Sequence, residues 1–201
     1  MVTKLLGDKI LESKHIIVLI IDAIKENKRD LIVKLITENP DQVDFYTPFG
    51  GQTWLGYAAQ IGNLDAVVAL VDAGLDVNLG DKYDDSKPLC SAASNNHYDV
   101  AEYLLSVGAL MDVSLSVRNP LFAAIVGRSP KIVSLLLREG IDSKVRYNSE
   151  TMKDMDAVAF ALMRGEVECA QMIALWNANG DEQIAKVAID EANKVAEENA
   201  R

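Results

Sequence analysis

The sequence is poor in the features that hold small secreted proteins together or carry a chain across a membrane. Only two cysteines, Cys90 and Cys169, occur in 201 residues, so a disulfide framework is not expected. Apolar runs such as Ile16–Ile21 fall far short of the roughly 20 residues that span a bilayer. Asp8 and Lys9 interrupt any signal-peptide core near the N-terminus. We therefore expect a single-domain cytoplasmic protein.

Positive charge is also scarce. The chain has 20 Lys and Arg against 30 Asp and Glu, for a formal net charge of −10. Nucleic acids and anionic membranes are bound through clustered positive charge, so we expect neither as a partner. The imbalance is concentrated in residues 37–112, which hold 12 acidic and 2 basic residues. This segment predicts either a solvated acidic face or a patch that attracts a basic protein.

Residues that carry catalytic or metal chemistry are missing as well. His15 and His97 stand in no metal-ligand spacing with a cysteine. Gly50 and Gly51 are not followed by the Lys-Ser or Lys-Thr of a phosphate-binding loop. The two cysteines are expected to pack as small apolar residues. We predict no enzymatic activity, no cofactor, no metal and no small-molecule substrate.

The sequence contains internal repeats. Three segments align without gaps, and each is followed by a second apolar run that ends at a glycine. The segments are Thr53–Ala59, Lys87–Ala93 and Asn119–Ile125, and the glycines are Gly74, Gly108 and Gly140. The period of about 33 residues is typical of a stacked repeat protein. We therefore expect an array of similar units around one continuous core.

The composition of each unit predicts a pair of short antiparallel helices. Pro88 and Pro120 occupy first-turn positions, where a missing N–H costs nothing. Gly62 opens the turn between the two helices, and the glycine after the second helix fits a left-handed helix end. Extended fingers then return to the next unit. The apolar runs predict that four leucines face neighbouring helices and are almost fully buried: Leu104, Leu105, Leu135 and Leu136.

This pattern resembles the ankyrin repeat family. The segment Thr53–Asn78 follows the family pattern almost residue by residue. Later units depart from it, with Asn96 and Arg128 at the position of the mid-repeat glycine. The weaker unit Asp156–Asn177 has Gly165 in register and Asn177 in place of the closing glycine, and Val18–Ile36 is a degenerate first unit. The resemblance implies an all-α solenoid of stacked helix-turn-helix units with extended finger loops and a C-terminal capping helix.

The chain then divides into repeats and two ends. The expected parts are a lead-in helix at 1–15, a degenerate repeat at 16–45, repeats at 46–80, 81–113 and 114–145, a divergent repeat at 146–180, and a capping helix at 181–201. The stripe of Ile184, Val187, Ala188, Ala192 and Val195 is the face that we expect the capping helix to bury. Whether residues 143–155 form an ordered finger or a mobile loop is left open.

The resemblance also implies which residues contact a partner. The family's variable positions fall on Phe49, Gln52, Gln60, Ile61, Tyr83, Asp84, Ser86, Ser94, Asn95, Leu115, Arg118, Met152, Lys153, Met163 and Arg164. Tyr46 joins them because it flanks the same aromatic finger as Phe49, and Asp85 joins them as a second acidic finger residue. Aromatic side chains at finger tips are typical binding hot spots, although Phe49 could instead fold back onto its own array.

We therefore expect a non-catalytic module that binds one protein partner through its fingers and the concave surface of its helices. A narrower hypothesis is a bacterial immunity or inhibitor protein that neutralises a basic toxin. A third is an effector or regulatory adaptor that docks on a host or transcriptional protein. The fold alone does not choose among them.

Overall fold

The computed structural model describes residues 15–48, 50–150 and 152–200. Eleven helices are found in these ranges, and their bounds are α1 within residues 15–25, α2 Arg29–Glu38, α3 Trp54–Gln60, α4 Leu64–Asp72, α5 Pro88–Ser94, α6 Tyr98–Ser106, α7 Pro120–Val126, α8 Pro130–Arg138, α9 Ala157–Met163, α10 Val167–Asn177 and α11 Glu182–Asn199. Short 3₁₀ turns occupy Pro40–Gln42 and Ser116–Arg118. Extended pairing in the described residues is limited to two isolated antiparallel bridges. The predicted all-α solenoid is confirmed.

Consecutive helices pair into five antiparallel units, α1–α2 through α9–α10, which we call units 1 to 5. The first helices α3, α5, α7 and α9 pack on one another in sequence, and the second helices α2, α4, α6, α8 and α10 form a parallel row. Each unit buries its apolar face against its neighbours, so the core runs the length of the stack.

Side chains and prolines at the helix starts explain why the helices begin where they do. The Thr53 hydroxyl accepts from the Gly56 N–H at 3.0 Å, and the Asn63 carboxamide accepts from the Ala66 N–H at 3.0 Å. Pro88, Pro120 and Pro130 occupy first-turn positions. The two side-chain caps each satisfy a backbone N–H that the helix itself leaves unpaired, and the prolines have no N–H to satisfy.

The turn within every unit contains one residue with positive φ. The five residues are Asn27, Gly62, Asn96, Arg128 and Gly165, with φ between 53° and 76°. Asn96 and Arg128 therefore adopt the left-handed backbone that the sequence register assigns to the mid-repeat glycine. In unit 5 the sequence register was wrong at the other end: α10 continues through Asn177, and the left-handed residue that follows it is Asn179, with φ 52°.

Burial of the four leucines agrees with the prediction in three cases. Leu104, Leu135 and Leu136 are buried, whereas Leu105 is half-buried. Aromatic side chains also cross between elements. Trp54 is fully buried and stacks on Phe45 with ring centroids 5.5 Å apart.

The helix α11 packs against α9 and α10 at the end of the stack, as a cap should. Its buried face agrees in part with the predicted stripe: Ala192 is buried and Ala188 and Val195 are half-buried. Ile184 and Val187 are instead 58% and 49% exposed, and Ala185 and Ala196 are buried in their place. Small side chains allow the helix to approach the last unit closely, which explains why alanines occupy the contact. The expected lead-in helix lies outside the described residues, apart from His15 and the start of α1.

Candidate functional site

Four loops, one before each of α3, α5, α7 and α9, supply the predicted finger surface. We call them finger 1 (residues 45–53), finger 2 (79–87), finger 3 (112–119) and finger 4 (146–156). Fingers 1 and 4 are closed by antiparallel bridges, Tyr46 to Thr53 and Tyr147 to Met155. The second of these bridges lies within the segment that the sequence left open, 143–155.

Backbone and side-chain hydrogen bonds join one finger to the next. The Lys82 N–H donates to the Gly51 carbonyl at 2.9 Å. The Tyr147 hydroxyl donates to the Val113 carbonyl at 2.8 Å and accepts from the Asn119 carboxamide at 3.0 Å. These hydrogen bonds hold neighbouring fingers against one another.

Finger 1 displays Tyr46, which is exposed, while the Gln52 side chain is half-buried. Phe49, the predicted hot spot of this finger, lies outside the described residues. The aromatic contact predicted for finger 1 therefore rests on Tyr46 in the structure.

Finger 2 is a tight turn built around one carboxylate. Asp81 accepts hydrogen bonds from the Tyr83 and Asp85 backbone N–H groups at 3.0 and 3.1 Å. The turn holds Asp84 at φ 58° and leaves Tyr83 67% exposed, the largest apolar exposure among the described residues. The Lys82 ammonium lies 4.8 Å from the centre of the Tyr83 ring. Ser86 is half-buried, and its carbonyl accepts from the Asp81 N–H.

An arginine of finger 3 forms an ion pair with an aspartate of finger 2. The Arg118 guanidinium lies 3.3 Å from the Asp84 carboxylate, and the buried Nε of Arg118 has no hydrogen-bond partner among the described residues. The structure thus brings together two residues that the sequence assigned to separate contacts. Leu115, in the same finger, is exposed.

A second ion pair, largely shielded from solvent, links unit 3 to finger 3. The Lys87 ammonium lies 2.9 Å from the Asp112 carboxylate. Hydrogen bonds from Ser114, together with the Lys87 charge, hold the pKa of Asp112 well below its usual value. Of the acidic residues in 37–112, Asp72 and Asp84 pair with arginines outside that segment, Arg29 and Arg118, and the patch is weaker than the sequence count predicts.

The remaining predicted contacts stand at the ends of the first helices. Gln60 is the last residue of α3, and Ile61 comes directly after it. Ser94 and Asn95 occupy the same positions at the end of α5, and Met163 and Arg164 at the end of α9. Ile61, Asn95 and Arg164 are exposed, whereas Ser94 and Met163 are half-buried. The Ser94 hydroxyl and the Asn95 carboxamide both donate to the Ser91 carbonyl, at 3.3 and 2.9 Å.

The sequence prediction missed two valines on the same surface. Val117 in finger 3 is 59% exposed and Val126 at the end of α7 is 42% exposed. With Met152 and Phe160 they line a groove of about 200 Å³. Val126 could have been found from the sequence, because it ends α7 as Gln60 ends α3 and Met163 ends α9.

A further exposed apolar cluster lies on the row of second helices. Leu175 and Trp176 of α10 are 41% and 48% exposed, and with Met172 they border a shallow cleft. No residue of this cluster was predicted as a contact, since the family's variable positions fall on the other side of each unit.

Comparison with known families decides what these units are. The family model for ankyrin repeats, in three copies, matches residues 20–115. The chain contains ankyrin repeats over these residues. Units 4 and 5 lie beyond the matched residues and continue the same helix pairing and finger geometry. No curated protein is significantly similar to the ankyrin chain. Ankyrin repeats generally mediate protein–protein interaction.

Both cysteines of the chain are free and buried. Burial raises the pKa of the Cys90 thiol to about 12, and its Sγ donates to the Arg118 carbonyl at 3.1 Å. Burial, with Glu166 and Glu168 nearby, raises the pKa of Cys169 to about 11. Within the described ranges, no group of three His, Cys, Asp or Glu side chains could hold a metal ion. No helix in the same ranges is long and apolar enough to cross a membrane.

Proposed function

We propose that this ankyrin protein binds one protein partner through the surface formed by fingers 1 to 4 and the ends of α3, α5, α7 and α9. The observation that carries the proposal is a set of exposed apolar and aromatic side chains on these fingers and helix ends. Its members are Tyr46, Ile61, Tyr83, Leu115, Val117 and Val126. Protein interfaces use large, exposed apolar side chains on a pre-organised backbone as anchors.

The most informative position is Tyr83. Its ring is exposed on a turn that Asp81 holds rigid through two backbone hydrogen bonds, so little conformational entropy would be lost on binding. We expect Tyr83→Ala to weaken partner binding by about 2 kcal/mol, as truncation of a hot spot does.

Affinity capture followed by mass spectrometry tests this proposal. The wild-type chain, Tyr83→Ala and Trp176→Ala are used as matched baits, because both variants remove one exposed aromatic side chain. Leu115→Ala serves as a fourth bait. The proposal expects a partner that is retained by wild type and Trp176→Ala but depleted on Tyr83→Ala and on Leu115→Ala. Loss on Trp176→Ala alone would place the interface on the second helices instead.

An immunity or inhibitor protein directed against a basic toxin is the narrower candidate, and the net charge of −10 favours it. Asp85 of finger 2 makes no ion pair within the described residues, so it remains free for a cation on a partner. Asp84 is bridged to Arg118, and its neutralisation would release a guanidinium as well as remove a carboxylate. Slower association of Asp85→Asn at low salt, with the difference vanishing at high salt, is the expected mark of a basic partner.

A further inference from the structure

We propose that the groove between fingers 3 and 4 binds one apolar side chain of a partner segment whose neighbouring residues are acidic. We call it the valine groove, after Val117 and Val126 at its rim. The inference rests on the proposed function and narrows it, because it names the chemistry of the segment that one part of the finger surface accepts.

The shape of the valine groove suits a single side chain. Its floor is formed by Phe122 and Phe160, which are buried and stack with ring centroids 4.4 Å apart. Its rim is apolar and exposed at Val117 and Val126, and Met152 closes it from finger 4. The volume of about 200 Å³ compares with the roughly 150 Å³ of an apolar cavity that accepts benzene. One leucine, methionine or phenylalanine side chain would fill it.

Two cations without a carboxylate partner lie next to residues that line the groove. The Arg164 guanidinium lies 5.8 Å from the centre of the Phe160 ring, and Lys153 directly follows Met152 in finger 4. In the part of the chain that the structure describes, neither side chain has a carboxylate within ion-pair distance. The backbone of Lys153 is fixed by two hydrogen bonds with the Asn199 carboxamide of α11, at 2.7 and 3.0 Å.

The carboxylates nearest to these cations along the chain are mostly committed elsewhere. Asp154 pairs with Arg146, and Glu166 pairs with Arg128 at 3.2 Å. Glu150 of finger 4 is exposed and adds one negative charge. Asp156 also pairs with Arg146, at 3.1 Å, so among the described residues the unpaired charges nearest the valine groove are Lys153, Arg164 and Glu150.

Charge complementarity selects the occupant. A guanidinium and an ammonium beside an apolar groove favour carboxylates next to the inserted side chain. A basic segment would instead meet two like charges at the groove rim. The segment that fits is thus an apolar residue with aspartate or glutamate on either side.

Panning a random dodecapeptide phage library against the full chain tests the inference even before the partner is identified. We expect enriched peptides with an apolar residue flanked by acidic ones. A fluorescein-labelled synthetic copy of the most enriched peptide, measured by anisotropy, should bind Val126→Ser and the double variant Lys153→Gln, Arg164→Gln at least about tenfold more weakly than wild type.

Matched controls separate this effect from a general change in charge or stability. Lys131→Gln with Arg138→Gln removes two exposed cations from α8 and should leave the affinity unchanged. Val117→Ser provides a second groove variant if Val126→Ser does not fold, as judged by circular dichroism.

Three results would overturn the inference: no peptide is enriched, the enriched peptides are basic, or their affinity is unchanged in every groove variant. If the peptides lose affinity with Tyr83→Ala instead, the valine groove is wrong while the finger surface stands. If they lose affinity only with Trp176→Ala, both proposals fail.

Discussion

A substitution at Gly62 would test how neighbouring units are held in register. Gly62 lies in the turn of unit 2 with φ 73°, and His97 from the turn of unit 3 packs directly over it. The His97 Nε2 donates to the Gln60 carbonyl at 2.9 Å. A Cβ atom at Gly62 would lie 2.3 Å from Nδ1 and 2.7 Å from Cγ of that ring. Alanine at this position must therefore displace the ring and break its hydrogen bond.

The matched control is Gly74, which also has positive φ, 92°, but no atom within 4 Å of the place that a Cβ would occupy. Left-handed backbone costs a non-glycine residue roughly 1–2 kcal/mol, partly offset because alanine reduces the entropy of the unfolded chain by about 0.4–1 kcal/mol. We expect Gly74→Ala to lower the free energy of unfolding by about 1 kcal/mol. Gly62→Ala adds the lost hydrogen bond and ring packing, for a total of about 2–3 kcal/mol.

Urea unfolding followed by circular dichroism measures both costs, and a double-mutant cycle with His97→Ala identifies their source. Without the His97 ring, Gly62→Ala should cost about as much as Gly74→Ala, since only the backbone term remains. Equal costs for the two glycines in the wild-type background would refute the reasoning. So would a Gly62→Ala cost that persists undiminished when His97 is absent.

Three further predictions concern the core, one ion pair and the cap. Leu136→Ala should cost about 2–5 kcal/mol of unfolding free energy because the side chain is fully buried, and half-buried Leu105→Ala should cost measurably less; equal urea midpoints would contradict this. The depressed pKa of Asp112 stabilises the folded protein at pH values above 3.8, the usual pKa of this carboxyl group, and this stability is lost as the pH falls below that value. On acid titration between about pH 4 and 2, Asp112→Asn should therefore lose less unfolding free energy than wild type. Deleting residues 182–201 should uncover the apolar faces of α9 and α10, giving a lower melting temperature or aggregation on size exclusion; an unchanged melting curve would show that α11 is no cap.

The repeat register could be predicted from the sequence because it depends on local chemistry. Proline at a first turn and glycine or asparagine in a left-handed turn act within a few residues. The register placed Asn96 and Arg128 at the position of the mid-repeat glycine, and the structure gives both residues the positive φ of that position. It failed at Asn177 because α10 is two residues longer than α4, α6 and α8, and the Asn179-Gly180 pair, with φ 52° and 85°, is the local signal that marks its end.

The electrostatics could not be predicted in the same way. The acidic count of residues 37–112 includes Asp84, but its partner is Arg118 on finger 3, outside that segment. Such pairs form only when fingers from neighbouring units meet, so a count along the chain cannot register them. The buried face of α11 was only partly predicted for a related reason: hydrophobicity favoured Ile184, whereas close approach to unit 5 selects the smaller Ala185 and Ala196.

The last residue of each first helix shows how the surface changes along the stack. This position is Gln60 in unit 2, Ser94 in unit 3, Val126 in unit 4 and Met163 in unit 5. It therefore turns from polar to apolar at the point where the neighbouring charges change from the aspartates of finger 2 to Lys153 and Arg164. Because every unit presents the position in the same geometry, the change comes from side chains alone. A partner with a basic region and an acidic, apolar region can satisfy both halves in only one orientation along the stack.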